Sequence, residues 1–205
     1  MTAGIARLAI LTASITLTAC TVFPTPEPPR VMDLAPSADQ AKLNPAKQVS
    51  LRIDTPLASH PLDSSRILLK PSPYEFQAVP GVRWRDSMPV VLRDHLIQSY
   101  RKSGAFKKIV TDTSPATTTH TLISELTAFH AENRSDGAFV VIDLHTEVMN
   151  NRSRHTLCAD SHRLELKAES AVIEDLVVTF SEGAQALSAS TNRWVFDCLG
   201  DDKRL

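Results

Sequence analysis

The chain has 205 residues and a formal net charge of −1, with 42% hydrophobic and 22% charged residues. This near-neutral charge, without a basic cluster, does not favour binding to nucleic acid. The length is sufficient for one domain with its own hydrophobic core after an amino-terminal extension is set aside.

The amino terminus predicts a secretory signal that ends at a lipidated cysteine. Arg7 is followed by a short apolar run at residues 8–17, about half the length of a membrane-spanning helix. The run leads into Leu-Thr-Ala-Cys, which resembles the lipobox of bacterial lipoproteins, whose cysteine is acylated and becomes the first mature residue. We therefore predict a lipoprotein signal peptide over residues 1–19 and lipidation at Cys20. The alternative is an ordinary signal peptide with an incidental cysteine.

The residues after Cys20 indicate a location and a tether. By resemblance to the sorting rule of enterobacterial lipoproteins, the absence of aspartate at Thr21 indicates an outer-membrane lipoprotein that faces the periplasm. The chain then stays rich in proline and poor in large apolar side chains as far as Lys47. We predict that residues 20–47 are a disordered tether, able to hold a domain formed by residues 48–205 about 80 Å from the lipid.

The first half of the predicted domain contains two strands, a hairpin and a helix. Alternating apolar residues predict strands at 49–54 and 65–70, and residues 71–84 are predicted as a short hairpin that turns at Pro80-Gly81. An amphipathic helix follows, with Ser87 as N-cap, Pro89 in the first turn and Gly104 as the stop.

The second half is predicted to contain a run of strands and a closing helix. Strands are expected at 106–110, 120–132, 137–150 and about 155–169, with Asp136-Gly137 as a hairpin turn. Apolar residues at helical spacing predict a helix over 172–187, and residues 193–199 are expected as a tail or short strand. Strands segregated from helices predict an α+β fold, an antiparallel-rich sheet with two amphipathic helices packed on one face.

The cysteines and tryptophans are candidate site residues. If Cys20 is acylated, Cys158 and Cys198 remain as a pair in an oxidising compartment, where we predict a disulfide; two separately buried thiols are the alternative. Trp84 and Trp194 are interpreted as core anchors of the two helices, with contact to a lipid or a partner protein as the second interpretation.

The sequence predicts neither an enzyme nor a metal site. It contains no nucleophile elbow, Walker A loop or zinc-protease helix motif, so no catalytic residue and no cofactor is assigned. Five histidines fall on predicted strands, but none has the close paired spacing of zinc motifs: His120, His130, His145, His155 and His162. His95, on the apolar face of the first helix, is expected to be a core histidine with its hydrogen bonds satisfied.

The lipobox and the order of elements together resemble a known family. The stretches that carry the resemblance are LDSSRILLKPSPYEFQ, VRWRDSMPVVLRDHLIQSYRKSGAF, SELTAFHAE and AQALSASTNRWVF. They are similar to the ABC-type transport auxiliary lipoproteins of the PqiC-like group. The resemblance implies a non-enzymatic accessory role beside a phospholipid transport system, with a Mce-domain protein and an ABC permease and ATPase as partners.

Two classes of function follow from these observations. The first is a transport accessory that is anchored by its lipid and docks on a protein partner. Contact with phospholipid and assembly as a homo-oligomer are open alternatives within this class. The second is a stand-alone outer-membrane lipoprotein with a pocket for a ligand or metal, or a hydrolase.

Overall fold

The computed structural model describes residues 27–39 and 41–200, which form eight strands and two helices. The predicted α+β class is confirmed: the strands form one sheet, and both helices pack on one face of it. The strands are β1 (Arg30–Met32), β2 (Lys47–Ile53), β3 (Arg66–Ser72), β4 (Glu75–Trp84), β5 (Phe106–Thr111), β6 (His120–Arg134), β7 (Gly137–Asn150) and β8 (Thr156–Lys167). The helices are α1 (Met88–Ser103) and α2 (Ile173–Cys198).

Strand β6 organises the sheet. One of its edges pairs antiparallel with β7 along the whole strand, and β7 pairs antiparallel with β8. Its other edge is shared, because its first residues pair in parallel with β2 and Ala131 pairs in parallel with Leu69 of β3. β5 extends the sheet beyond β2, and β4 and then β1 extend it beyond β3. The sheet is antiparallel-rich as predicted, with parallel pairings that the sequence pattern does not show.

An extra residue in β6 decides which side chains face the helices. The register between β6 and β7 skips Thr127, which therefore forms a β-bulge. As a result Phe129 lies opposite Ile142 on the face covered by the helices, and His130 is on the other face. A strand without the bulge would place these two rings the other way round, because side chains alternate between faces.

Three aromatic rings connect the sheet to the helices. Phe129 of β6 stacks on Phe180 of α2, with centroids 4.8 Å apart and an interplanar angle of 10°. Trp84, at the end of β4, lies edge-on to both rings, at 6.0 Å from Phe129 and 5.5 Å from Phe180. All three are buried, so Trp84 is a core residue, as the first interpretation of the sequence has it.

Helix α1 begins and ends where the sequence predicts. Pro89 is in its first turn, and Gly104 ends it in the left-handed region with φ 66°. Ser87 precedes the helix as expected, but its side chain makes no capping hydrogen bond; its backbone carbonyl accepts one from Val91 N–H at 3.1 Å. The predicted apolar face is buried and consists of Val91, Leu92, His95, Leu96, Ser99 and Tyr100.

The predicted turn at Pro80-Gly81 is wrong. β3 and β4 are joined through Pro73 and Tyr74, and β4 continues through Pro80-Gly81 to Trp84. Gly81 has φ 72° at an irregularity in the β3–β4 register, so the dipeptide forms a bulge within one strand. The sequence could not separate the two because a bulge and a turn both use glycine at positive φ.

The end of the last helix also differs from its prediction. Residues 193–199 were expected as a tail or short strand, whereas α2 continues to Cys198. Val195 and Phe196 are buried there, and the Phe196 ring lies 6.4 Å from that of Phe106 in β5. Packing against a distant strand therefore continues the buried face beyond the part that the periodicity predicts.

Part of the predicted tether is folded. Residues 30–32 pair in parallel with β4, and Leu34 and Leu43 are buried in the core. We call residues 33–39 and 41–46 the strap, because they bond to both helices: Ala35 and Ala38 to α2, and Leu43 to Ser103 of α1. In the strap, Ala35 N–H donates to Ser181 Oγ at 3.0 Å, and the Lys102 ammonium donates to the Ser37 carbonyl oxygen. The domain boundary predicted at residue 48 is therefore wrong. The sequence pattern does not show the earlier start, because Leu34 and Leu43 are too far apart to form a periodicity, although both reach the core.

If Cys20 carries the lipid, this correction shortens the distance that the body can reach from the membrane. The ten-residue step from Cys20 to Arg30 spans at most about 36 Å when fully extended, less than half of the predicted reach. Among the described residues, neither helix is long and apolar enough to cross a membrane.

The two cysteines of the body are bonded to each other. Cys158 is on β8 and Cys198 ends α2, with their Cα atoms 6.5 Å apart and a sequence separation of 40. The bond therefore connects an outer strand of the sheet to the last turn of the helix that covers it.

We predict that replacing both Cys158 and Cys198 with alanine lowers the free energy of unfolding by about 3–4 kcal/mol, because the unfolded chain gains the freedom of the opened loop. Urea denaturation of the oxidised protein and the variant measures the difference. The reduced wild-type protein is the control and should match the variant. Two thiols that alkylate in the unfolded, unreduced protein would show that the bond does not form.

Candidate docking surface

The end of the β3–β4 hairpin exposes two aromatic residues. Tyr74, in the turn, is 98% exposed, and Phe76 is 37% exposed. The Phe76 ring lies edge-on to His130, with centroids 5.4 Å apart, and the Lys70 ammonium is 5.4 Å from the Phe76 centroid. Contacts with His130 and Lys70 thus fix the position of the Phe76 ring, whereas the exposed Tyr74 ring is accessible to another molecule. Exposed tyrosine and phenylalanine are enriched in protein interfaces.

The face of the sheet away from the helices carries a connected set of ion pairs. Arg134 lies 2.8 Å from Glu132 and 2.9 Å from Glu165, and Arg163 lies 2.7 Å from Glu165 and 3.2 Å from Asp143. Hydrogen bonds from Arg134 and Arg163 lower the pKa of Glu165. The set spans β6, β7 and β8, and its carboxylates are matched by guanidinium groups of the same face.

The strand histidines are not brought together. Because of the bulge at Thr127, His120 and His130 lie on opposite faces of the sheet, although they are an even number of residues apart. No group of three or more His, Cys, Asp or Glu residues within 27–39 and 41–200 is placed to hold a metal ion.

Burial lowers the pKa of three of the described histidines. At His130 the Glu132 carboxylate opposes this effect, because the His130 Nε2 is 3.0 Å from Glu132 Oε1. The His130 Nδ1 has no hydrogen-bond partner among the described residues. Burial likewise lowers the pKa of His95 and of His162. His95 is buried in the core, and its Nε2 has no hydrogen-bond partner among the described residues.

A groove runs between the strap and the outer side of α2, and we call it the α2 groove. Its volume is about 380 Å³, and Val178 in its wall is 58% exposed. Ser181 Oγ accepts the Ala35 N–H and donates to the Val177 carbonyl at 2.8 Å, so that this hydroxyl holds the strap to the helix. The groove is lined by Asp33, Ala35, Pro36, Ala38, Val177, Val178, Ser181, Glu182 and Gln185.

A second hollow lies beside the α2 groove. Val178 and Glu182 line both, so the two hollows adjoin along one ridge of the helix. The second hollow has a volume of about 460 Å³ and is lined by Lys167, Ala168, Glu169, Asp175, Val178, Thr179 and Glu182.

The predicted contact residues have different positions in the structure. Trp84 is 1% exposed, so the interpretation of this indole as a lipid or partner contact is wrong; its ring fills the junction of sheet and helix instead. Trp194 is half-buried, with its ring edge-on to His162 at 5.5 Å. Cys20 lies outside the described residues.

Neither the exposed hairpin aromatics nor the α2 groove is predicted from the sequence pattern. Tyr74 and Phe76 were not singled out because the hairpin turn was placed at the wrong dipeptide. The α2 groove was missed because one of its walls is the strap, which was interpreted as disordered. One signal was present: Val178 is an apolar residue that falls outside the three-and-four-residue repeat of the helix.

The comparisons with known proteins identify the family. The model of the family described as the ABC-type transport auxiliary lipoprotein component matches residues 33–191. The match covers more than half of the chain. The chain therefore belongs to this family, and the resemblance predicted from its sequence is confirmed. No curated protein sequence matches it.

Two solved structures share the fold. Protein XCC0632 from Xanthomonas campestris is 15% identical, with a TM-score of 0.78, and the alignment covers 85% of this chain and 99% of that one. A second structure, of an uncharacterized protein, is 18% identical with a TM-score of 0.65, and the alignment covers 82% of this chain and 99% of that one. At these identities the similarity shows a common architecture.

We predict that the buried histidines make the fold less stable as the pH falls. Their pKa values in the folded state lie below the ordinary 6.5, so the unfolded state binds protons first and stability is lost as the pH falls below about 6.5. Replacing His95 with leucine or His130 with phenylalanine should make the free energy of unfolding less dependent on pH. Urea denaturation between about pH 7.5 and 5 measures this slope. An unchanged slope in both variants would contradict the prediction.

Proposed function

We propose that this protein is a lipid-anchored, non-catalytic accessory of an ABC-type system that moves phospholipid between membranes, and that it acts by docking on that system. The observation that carries the proposal is the family match, which extends over nearly all of the folded body. The proposed partners are the Mce-domain protein of the transporter and its permease and ATPase, and the proposed anchor is the outer membrane, as the family resemblance and Thr21 suggest.

The folded strap supports docking at the membrane surface. If Cys20 carries the lipid, the body begins within about 36 Å of chain from it. A partner in the same membrane, or reaching it, then meets the body at a high effective concentration, and weak contacts can be sufficient. This proposal places the meeting point close to the membrane that carries the protein, rather than far across the periplasm.

The chemistry of the grooves supports a non-catalytic role. Ser181 is the hydroxyl that lines the α2 groove, and it is occupied as acceptor for the Ala35 N–H and donor to the Val177 carbonyl. An activated serine needs instead a neighbouring base to take its proton. Asp33 and Glu182 line the groove, but neither is hydrogen-bonded to the Ser181 hydroxyl among the described residues.

We predict that Cys20→Ala releases the body from the membrane, because the attachment site for the acyl chains is lost. Fractionation of cells that express the variant should give an uncleaved precursor or a soluble periplasmic protein. Cys20→Ser is a matched control with the same expected result. A processed variant that still sediments with membranes would rule out the lipoprotein anchor.

We predict that deletion of the gene reproduces the phenotype of a strain that lacks the transporter, seen as sensitivity to detergent. The full chain should restore growth, and the Cys20→Ala chain should restore it poorly. A double deletion of protein and transporter should be no more sensitive than either single deletion, because both act in one system. Additive sensitivity, or undiminished lipid transport without the protein, would remove the accessory role.

A further inference from the structure

The α2 groove offers an apolar site that no described side chain fills. Its strap wall contains Ala35, Pro36 and Ala38, and its helix wall contains Val177 and Val178. Val178 is 58% exposed, although the helix buries its apolar residues on the opposite side. Covering this groove with an apolar side chain would remove the exposed valine from water, which is the main favourable term in association.

The ridge around the groove carries unmatched negative charge. Glu182 lines both hollows, and Glu169 and Asp175 line the second. None of these three carboxylates forms an ion pair with a described residue, and Asp175 accepts only the Ser170 hydroxyl at 2.5 Å. Lys167 is the one cation that lines the second hollow. The surface therefore has more carboxylates than cations, and a partner can supply the cations that would balance them.

The site lies where the chain enters the body. Asp33, at one end of the groove, directly follows β1, and Arg30 of β1 bonds Glu174 in the first turn of α2 at 2.6 Å. The groove is thus next to the segment that leads to Cys20. A partner at the same membrane can reach it while the protein remains anchored.

The charges distinguish between possible occupants. Residues 21–29 of this chain contain no lysine or arginine and include Glu27, so they do not supply the missing cations. A bilayer surface with anionic headgroups would be repelled by the same carboxylates that attract a cationic segment. Both observations favour a segment of a partner protein.

We infer that the α2 groove binds a segment of the partner in which an apolar side chain is flanked by lysine or arginine. The apolar side chain lies against Val178, and the flanking cations pair with Glu182 and with the carboxylates of the second hollow. This inference rests on the proposed function and names the surface and the chemistry of its docking step.

Binding to three short peptides tests the inference on the full lipidated chain in nanodiscs of zwitterionic lipid. One peptide has leucine flanked by lysines, the second replaces the lysines with glutamates, and the third replaces leucine with serine. The first should bind at least about tenfold more tightly than the other two, and added salt should weaken it. Equal binding of the first two peptides, or no measurable binding of the first, would overturn the inference.

Variants locate the site. Val178→Asp and Glu182→Lys should each weaken binding of the first peptide about tenfold. Val178→Asp removes the apolar contact, and Glu182→Lys repels the lysines of the peptide. Asp197→Lys is the matched control: it is an exposed acidic residue near the other end of the same helix, and binding should not change. Equal thermal unfolding temperatures show that the variants remain folded. Tighter binding to phosphatidylglycerol vesicles than to the peptide would instead identify a membrane surface as the occupant.

Complementation separates this inference from the proposed function. If the deletion strain is rescued by Asp197→Lys but not by Glu182→Lys, the proposed function and the inference about the α2 groove are both supported. If Glu182→Lys and Val178→Asp rescue fully, the accessory role stands and the groove is not its docking surface. If the deletion has no transport phenotype, the proposed function fails, whether or not the peptide binds.

Discussion

The contact among Phe129, Phe180 and Trp84 joins the sheet to its helices, and it depends on one extra residue. The bulge at Thr127 turns Phe129 toward α2, where its ring stacks on Phe180 at 4.8 Å. The same bulge places His130 on the opposite face, where it supports Phe76 of the exposed hairpin. A single irregularity in β6 therefore positions both the core and the base of the hairpin tip, because alternation along a strand transmits the change to every later residue.

The strap adds a second consequence of long-range packing. Leu34 and Leu43 reach the core, and Ser181 of α2 holds the strap backbone through the Ala35 N–H. The strap thereby creates one wall of the α2 groove and brings the start of the folded body close to Cys20 in sequence. The strap, residues 33–39 and 41–46, thus determines both where the folded body begins and the shape of the α2 groove.

The two charged surfaces of the body differ in how their charges are matched. On the face away from the helices, arginines of β6 and β8 pair with carboxylates of β6, β7 and β8. Such exposed pairs contribute little to stability, but they leave little unmatched charge for a partner. Beside and along α2, Glu169, Asp175 and Glu182 lack ion-pair partners among the described residues, and they line the hollows that Val178 also lines. Charge complementarity therefore selects α2 as the surface for a cationic segment, whereas the hairpin tip offers aromatic contacts.

The sequence by itself determined the features that depend on local periodicity. The strands β6, β7 and β8, the helix that ends at Gly104 and the existence of a tight hairpin before Gly137 were predictable, because alternation, helical spacing and positive φ at glycine are properties of neighbouring residues. The turn itself is formed by Ser135 and Asp136, one residue before the predicted dipeptide, and Gly137 begins β7. Only the tertiary structure decided the bulge at Thr127, the true hairpin turn, the last turns of α2 and the folding of the strap. Each of these depends on contacts between residues far apart in sequence, and the α2 groove, made from the strap and a helix near the other end of the chain, exists only through such contacts.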